Sequence, residues 1–144
     1  MPVRNAQVKD KFDITKLAEN CAPLVRPSVI GTYEFLARCF SNTFFVYEEE
    51  EIIGYIVGFP NTAVKGEFWI YQICVCDKSR GKGIGSKLFK RFIEQVKSEG
   101  YERVRSHFKF ENKLSKNIHE KFGMKICGKD DRGWFVEVKF NKKG

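Results

Sequence analysis

Between Arg80 and Ser86 the sequence places glycines at positions 81, 83 and 85, directly after an apolar run and directly before a long amphipathic stretch. Glycine lets the backbone adopt positive φ and approach a ligand closely. The start of a helix offers N–H groups without intrahelical partners and the positive end of the helix dipole. Arg80 and Lys82 add positive charge to the same turn. The pattern suits the holding of a phosphate or pyrophosphate. The competing use of such a turn is tight packing of a strand against a helix. Two familiar phosphate motifs are excluded by spacing: the three glycines stand evenly two apart, which fits neither a P-loop nor the Gly-x-Gly-x-x-Gly dinucleotide fingerprint. Further along, Ser115 and His119 stand four apart, on one face of a helix. Histidine exchanges protons near neutral pH.

The elements that must position these groups alternate in type. Val3 to Val8 suits a short strand, and Asp13 precedes a capped helix over Ile14 to Asn20. Pro23 and Pro27 interrupt. Val29 to Phe40 then carries Ile30, Tyr33, Leu36, Ala37 and Phe40 at helical spacing. Thr43 to Tyr47 and Ile52 to Phe59 read as strands joined by the acidic run Glu48 to Glu51, and Phe68 to Val75 as a buried strand. After the Gly81 to Gly85 turn, Ser86 to Glu99 is the clearest helix, with Leu88, Phe89, Phe92, Ile93 and Val96 on one stripe and Gly100 as its stop. Tyr101 to Phe110 is a strand. Leu114, Ile118 and Phe122 mark a short helix closed by Gly123, and Lys125 to Gly128 and Trp134 to Phe140 are two final strands. This is a mixed α/β order with an antiparallel start and a strand–helix–strand crossover.

The bulk properties bound the answer. A chain of 144 residues that is 42% hydrophobic and holds 14 Phe can bury a core of its own, and no composition break divides it, so residues 1–144 read as a single domain. The formal charge of +8 favours polyanionic partners, among them nucleic acid, acidic membranes and phosphate-bearing cofactors. The N-terminal residues lack an apolar export segment, and the apolar run Phe68 to Cys76 is too short to cross a bilayer as a helix. A cytoplasmic protein is expected. Five cysteines without an export signal read as reduced thiols. Cys74 and Cys76 share a strand face, but no second pair stands at ligand spacing and the histidines are only His107 and His119, so no metal site is expected.

The turn Arg80-Gly81-Lys82-Gly83-Ile84-Gly85 resembles the pyrophosphate loop of the GCN5-related N-acetyltransferases (GNAT), whose pattern is Arg/Gln-x-x-Gly-x-Gly/Ala. The likeness extends to Ile73, Val75 and Asp77 ahead of the turn. It continues downstream, where Asn112-Lys113-Leu114-Ser115 and His119 to Met124 resemble the helix Asn-x-x-Ala-x-x-x-Tyr-x-Lys-x-Gly-Phe of that family. It covers about residues 44 to 140. The resemblance implies a mixed, mostly antiparallel sheet of six or seven strands flanked by about four helices and splayed between strands 4 and 5. It also implies acetyl-CoA in the splay: the backbone of Ile73, Cys74 and Val75 on the pantetheine arm, the segment Arg80, Gly81, Lys82, Gly83, Ile84, Gly85 and Ser86 on the pyrophosphate, and Asn112 and Ser115 against the cofactor from the next helix. His119 stands where family members often carry a tyrosine acid, and Glu67, thirteen residues before Arg80, stands near a catalytic glutamate of histone-acetylating members. The expected pair is therefore Glu67 as base and His119 as acid, with Tyr33, Tyr71 and Gln72 as substrate contacts. The family transfers acetyl groups directly rather than through a cysteine, and its members often form homodimers.

Three further segments resemble the diaminobutyrate acetyltransferases: Cys21-Ala22-Pro23-Leu24, Tyr33-Glu34-Phe35-Leu36 and Phe68 to Val75. Members of that group are longer and carry an Asp shortly after the Pro-Leu pair, where this chain has Val25-Arg26. Arg26 suits a carboxylate, whereas Asp suits an ammonium. The activity implied is acetyl transfer to a primary amine of a small molecule, an amino acid or a diamine. The alternatives are a protein or peptide amine, or a non-catalytic module that binds acyl-CoA or nucleic acid.

Overall fold

Apolar residues fill both phases of Phe44–Glu48 (β2), so this strand is buried on its two faces. It pairs antiparallel with Ile52–Pro60 (β3) around the acidic turn. The hairpin belongs to a seven-stranded sheet of order β1-β2-β3-β4-β5-β7-β6. Its other strands are Val3–Asn5 (β1), Glu67–Val75 (β4), Arg103–Lys109 (β5), Lys125–Lys129 (β6) and Gly133–Lys139 (β7). Every neighbouring pair is antiparallel except β4 and β5, which run parallel. Among the described residues the chain has the expected mixed sheet and four α-helices. The computed structural model describes residues 2–22 and 24–140. Met1, the expected break at Pro23, and positions 141–144 of the expected single domain lie outside the described residues.

Helices cover both faces. Lys11–Asn20 (α1) and Ile30–Cys39 (α2) place Ile14, Leu17, Tyr33 and Leu36 against Phe44, Val46, Tyr55 and Val57. On the other face Ile84–Ser98 (α3) packs Leu88, Phe89, Phe92 and Val96 against Phe45, Ile56, Phe68 and Val104. Lys113–Lys121 (α4) adds Ile118 to that second cluster. These side chains carry the stability: truncating a fully buried ring such as Phe92 to Ala costs roughly 3–5 kcal/mol.

One irregularity in β4 shapes the site. Val57 pairs with Gln72 but the next residue, Gly58, pairs with Ile70, so Tyr71 is an extra residue. Such a bulge exchanges the faces of the strand. Phe68 and Ile70 accordingly point to the α3 side, and Cys74 to the α1–α2 side. A Cβ on Gly58 would meet the Trp69 carbonyl oxygen at 2.1 Å and the Phe92 ring at 2.6 Å, so only glycine fits opposite the bulge.

Three expectations are corrected. The first strand stops at Asn5, because the Asp10 carboxylate accepts the Gln7 N–H at 2.7 Å and two bonds from Arg4, folding residues 8–10 into a 3-10 turn. That turn leads into α1 at Lys11, so Asp13 lies inside the helix rather than at its cap. The cysteines are not all reduced. Cys21 ends α1, Cys74 occupies the face of β4 that the bulge turns toward α1, and the two form a disulfide with Cα atoms 6.6 Å apart. Cys39, Cys76 and Cys127 are free. Among the described residues no helix is long and apolar enough to cross a membrane.

Candidate active site

The parallel pairing of β4 and β5 lasts three residues, from Glu67↔Arg103 to Trp69↔Arg105. Beyond it the strands part. Ile70 to Val75 and Ser106 to Lys109 become the walls of a cleft whose β4 edge has no pairing on the β5 side. Unpaired strand edges offer backbone N–H and C=O groups to a ligand.

At one end of the cleft the chain leaves β4, turns through Asp77–Ser79 and reaches Gly81 and Gly83, with φ of +82° and +80°. Side chains with a Cβ rarely adopt that conformation. Gly83 is the N-cap of α3 and no side chain caps the helix, so its first amides remain available to an anion. The Arg80 Nε donates to the Val75 carbonyl at 3.2 Å, bracing the turn against the strand. Across the opening, Asn112 Oδ1 accepts the Ser115 N–H at 3.1 Å and caps α4. Lys121 Nζ donates to Ser86 Oγ at 2.9 Å, tying α4 to the start of α3. These groups enclose a cavity of about 490 Å³. Every residue expected to bind the cofactor lines it except Lys82. Lys121, Leu24 and Val25 also line it and were not anticipated. Uncapped amides, two positive-φ glycines and a lysine fit a pyrophosphate, and the open β4 edge fits an amide-bearing arm.

The other end is a second cavity of about 670 Å³ that shares Leu24, Val25, Ile73, Asn112 and Ser115 with the first. Its walls include Arg26 and Ser28 from the α1–α2 loop, Tyr71 and Gln72 from the bulge, and Ser106 and His107 from β5. His119 reaches it from α4 and Arg132 from the β6–β7 turn. Tyr71 is half-exposed, with its hydroxyl 2.7 Å from Ser28 Oγ. Gln72 lines the cavity, but its amide is committed: Oε1 accepts the Tyr33 and Tyr55 hydroxyls, each at 2.8 Å, and Nε2 donates to the Arg26 carbonyl. Tyr33 is fully buried and lies outside both cavities. It supports Gln72 and does not face a substrate, a correction to its expected role.

His119 is buried between the rings of Phe89, which it meets at near right angles, and Phe108. Its Nδ1 lies 2.6 Å from the Ser115 carbonyl oxygen and its Nε2 2.8 Å from Ser106 Oγ. A carbonyl can only accept, so Nδ1 carries the proton and Nε2 accepts the Ser106 hydroxyl. Burial pushes the imidazole down from 6.5 to about 4, against the opposing pull of the Ser115 carbonyl. The ring is neutral near pH 7 and presents no N–H to the cleft. This corrects the expectation of His119 as an independent acid: its Nε2 is occupied by the Ser106 hydroxyl. The sequence did hold a signal for Ser106, which falls in the buried phase of an alternating strand, between Val104 and Phe108. A buried hydroxyl there needs a partner.

Glu67 is the other correction. It sits at the far end of β4, in the paired region, and lines neither cavity. Burial pulls its carboxyl up, but hydrogen bonds from Asn61 and Trp69 and the charge of Arg105 outweigh this and hold it below the usual range. A carboxylate so placed does not touch the cleft, and its basicity is lowered.

The profile of the acetyltransferase (GNAT) family matches residues 12–124, and the chain belongs to that family. Among curated proteins it is similar to the L-2,4-diaminobutyric acid acetyltransferase of Wolinella succinogenes, with 29% identity over 99 residues, covering 68% of this chain and 57% of that protein. The enzyme of the same name from Halomonas elongata is 30% identical over 88 residues, covering 60% of this chain and 45% of the relative. The chain thus spans about half the length of the curated relatives it matches. Among solved structures, the diaminobutyrate acetyltransferase of Paenibacillus lautus, bound to L-2,4-diaminobutyric acid and coenzyme A, superposes with a TM-score of 0.85 at 17% identity, covering 99% of this chain and 97% of the other.

Proposed function

We propose that the chain is an acetyl-CoA-dependent N-acetyltransferase that moves the acetyl group directly to a primary amine of a small molecule, acting as a single domain in the cytoplasm. One observation carries this reading: the splay joins an anion-cradling cavity to a polar cavity, and Ser106 and His119 stand on the wall of the second, beside the residues the two share. The names of the curated relatives and the coenzyme A in the Paenibacillus lautus structure support it.

The amides of Gly81 to Ser86, with Lys121, hold the pyrophosphate, and the Ile73–Val75 edge and Asn112 with Ser115 hold the pantetheine arm. Bound there, acetyl-CoA supplies an activated acyl group. Ser106 and His119 handle the proton. As Ser106 Oγ takes a proton from the attacking amine, it passes its own to His119 Nε2, while the Ser115 carbonyl holds Nδ1–H. Run in reverse, the relay releases that proton toward the departing sulfur. Such general acid–base steps contribute about 10²–10⁴ in rate. Tyr71 stands at the acceptor wall, and the free Cys76 does not line either cavity.

The test is thiol release from acetyl-CoA with a panel of small amines, alongside thermal unfolding with and without acetyl-CoA. The reading predicts a raised midpoint and amine-dependent release. A raised midpoint with no release for any amine would leave a binding module. No shift at all would remove the cofactor assignment.

A further inference from the structure

The acceptor cavity has an unbalanced charge pattern. Arg26 enters its lining from the α1–α2 loop and Arg132 from the β6–β7 turn, with Lys109 at the end of β5. No Asp or Glu lines it. The nearby carboxylate belongs to Asp130, and it is committed: Oδ1 lies 3.0 Å from His107 Nε2 and accepts the Arg132 and Gly133 N–H groups at 2.9 and 2.8 Å, and Oδ2 lies 3.6 Å from the Arg132 guanidinium. The His107 bond and those amides hold the Asp130 carboxyl far below its usual range, so it remains an anion serving its own turn.

Two sets of neutral groups in the lining are already engaged. Gln72 Oε1 already takes two tyrosine hydroxyls, and Ser28 and Tyr71 are bonded to each other. A substrate ammonium remote from the acetyl group would find no carboxylate among the described residues of the lining, and would face two guanidinium groups instead. A substrate carboxylate or phosphate would find Arg26 and Arg132, whose planar, permanently charged groups bind such oxyanions in pairs of hydrogen bonds. Building on the acetyltransferase reading above, we infer that the acceptor is a primary amine bearing an anionic group, a carboxylate or a phosphate, and no second ammonium. The absence of a second ammonium separates the chain from relatives named for a diamino acid, whose substrate carries a carboxylate and two amines. Arg26 and Arg132 are its specificity-determining residues.

The experiment measures kcat/KM for thiol release from acetyl-CoA with γ-aminobutyrate, aminobutanol and putrescine, three amines of one chain length whose far ends are anionic, neutral and cationic. Phosphoethanolamine distinguishes a phosphate from a carboxylate preference, and L-2,4-diaminobutyric acid tests the second ammonium. Calorimetric binding of the same compounds gives a readout independent of turnover. The expected order is γ-aminobutyrate or phosphoethanolamine at least about tenfold above aminobutanol, with putrescine lowest and L-2,4-diaminobutyric acid below γ-aminobutyrate. Added salt should narrow the spread, as these charges are exposed. Arg26→Glu, an exposed side chain whose replacement leaves the Gln72 bond to the backbone intact, should bring putrescine level with or above γ-aminobutyrate in binding and in rate. Putrescine equal to or better than γ-aminobutyrate on the unaltered protein, or an order unmoved by Arg26→Glu and by Arg132→Glu, overturns the inference alone. Thiol release with none of the amines removes the acetyltransferase reading and this inference with it.

Discussion

At the α3 end of the cleft, the groups that face a ligand are backbone amides set by Gly81 and Gly83 within one short turn. At the other end they are side chains brought from the α1–α2 loop, the β4 bulge, β5, α4 and the β6–β7 turn. The first end depends on conformation at two residues, and its charge comes from the α3 terminus and Lys121. The second depends on tertiary assembly, and its charge comes from residues that nothing in the local backbone requires. A fold built this way can keep its donor and change its acceptor, because the two ends answer to different parts of the sequence.

The comparison can be broken most severely where the ends meet. Ser106→Ala should lower kcat by about 10²–10³ while leaving the dissociation constant for acetyl-CoA within about twofold, and His119→Phe should do the same. Steady-state kinetics with calorimetry separates the two quantities. If cofactor affinity collapses as well, the relay is part of the donor end and the division between the two ends fails.

The disulfide gives the next effect. It ties the start of the α1–α2 loop, a wall of both cavities, to β4 across 53 residues of sequence. Chain-entropy reasoning allows up to about 4 kcal/mol for closing a loop of that size. Reduction, or Cys21→Ser, should therefore lower the unfolding midpoint by several degrees, and it should raise KM for the amine more than for acetyl-CoA, since the loop supplies Arg26 and Ser28 to the acceptor side. Equal changes in both KM values would contradict that placement.

The buried imidazole gives a slightly smaller effect with a defined pH window. The folded value of His119 is depressed from 6.5 to about 4. Between those values the unfolded chain binds a proton that the folded protein does not, so stability is complete above about pH 6.5 and falls as pH drops toward 4. The His119 share of that loss is roughly 3 kcal/mol. Denaturant unfolding from pH 7 to pH 4 should show the slope in the unaltered protein and a shallower one in His119→Gln. The least of the four effects is at the donor end: Gly83→Val, which forces a branched side chain to φ of +80°, should weaken acetyl-CoA binding by about tenfold or more with acceptor discrimination unchanged among the molecules that still turn over.

These differences also explain what could be read from the sequence. The glycine turn and the helix after it are contiguous patterns, so their geometry is legible in the order of residues, whereas the capping of α4 by Asn112, expected only as a cofactor contact, is not. Glu67 matches the glutamate of histone-acetylating members in its distance along the sequence from Arg80, and that distance takes no account of strand length. Eight steps along an extended strand from Glu67 to Val75 span roughly 25 Å, which carries its carboxylate out of the splay. The helical spacing of Tyr33 marks burial as readily as function, and in the structure its buried hydroxyl holds Gln72. The Cys21–Cys74 bond rests on the extra residue at Tyr71, which turns Cys74 toward α1, and no periodicity shows where a strand will bulge. His119 stands out by the family resemblance and by its spacing from Ser115, but its protonation state is not legible in the sequence, since that depends on Phe89, Phe108 and Ser106 closing around it.

The most direct test of the account is a single reaction mixture of protein, acetyl-CoA and an anionic primary amine, analysed by mass spectrometry for acetylated amine and by thiol assay for free coenzyme A. The two products should appear in equal amounts and be lost together in Ser106→Ala, with the acetyl-CoA-induced rise in unfolding midpoint retained. Acetyl-CoA bound without either product, or products formed undiminished by Ser106→Ala, would contradict it.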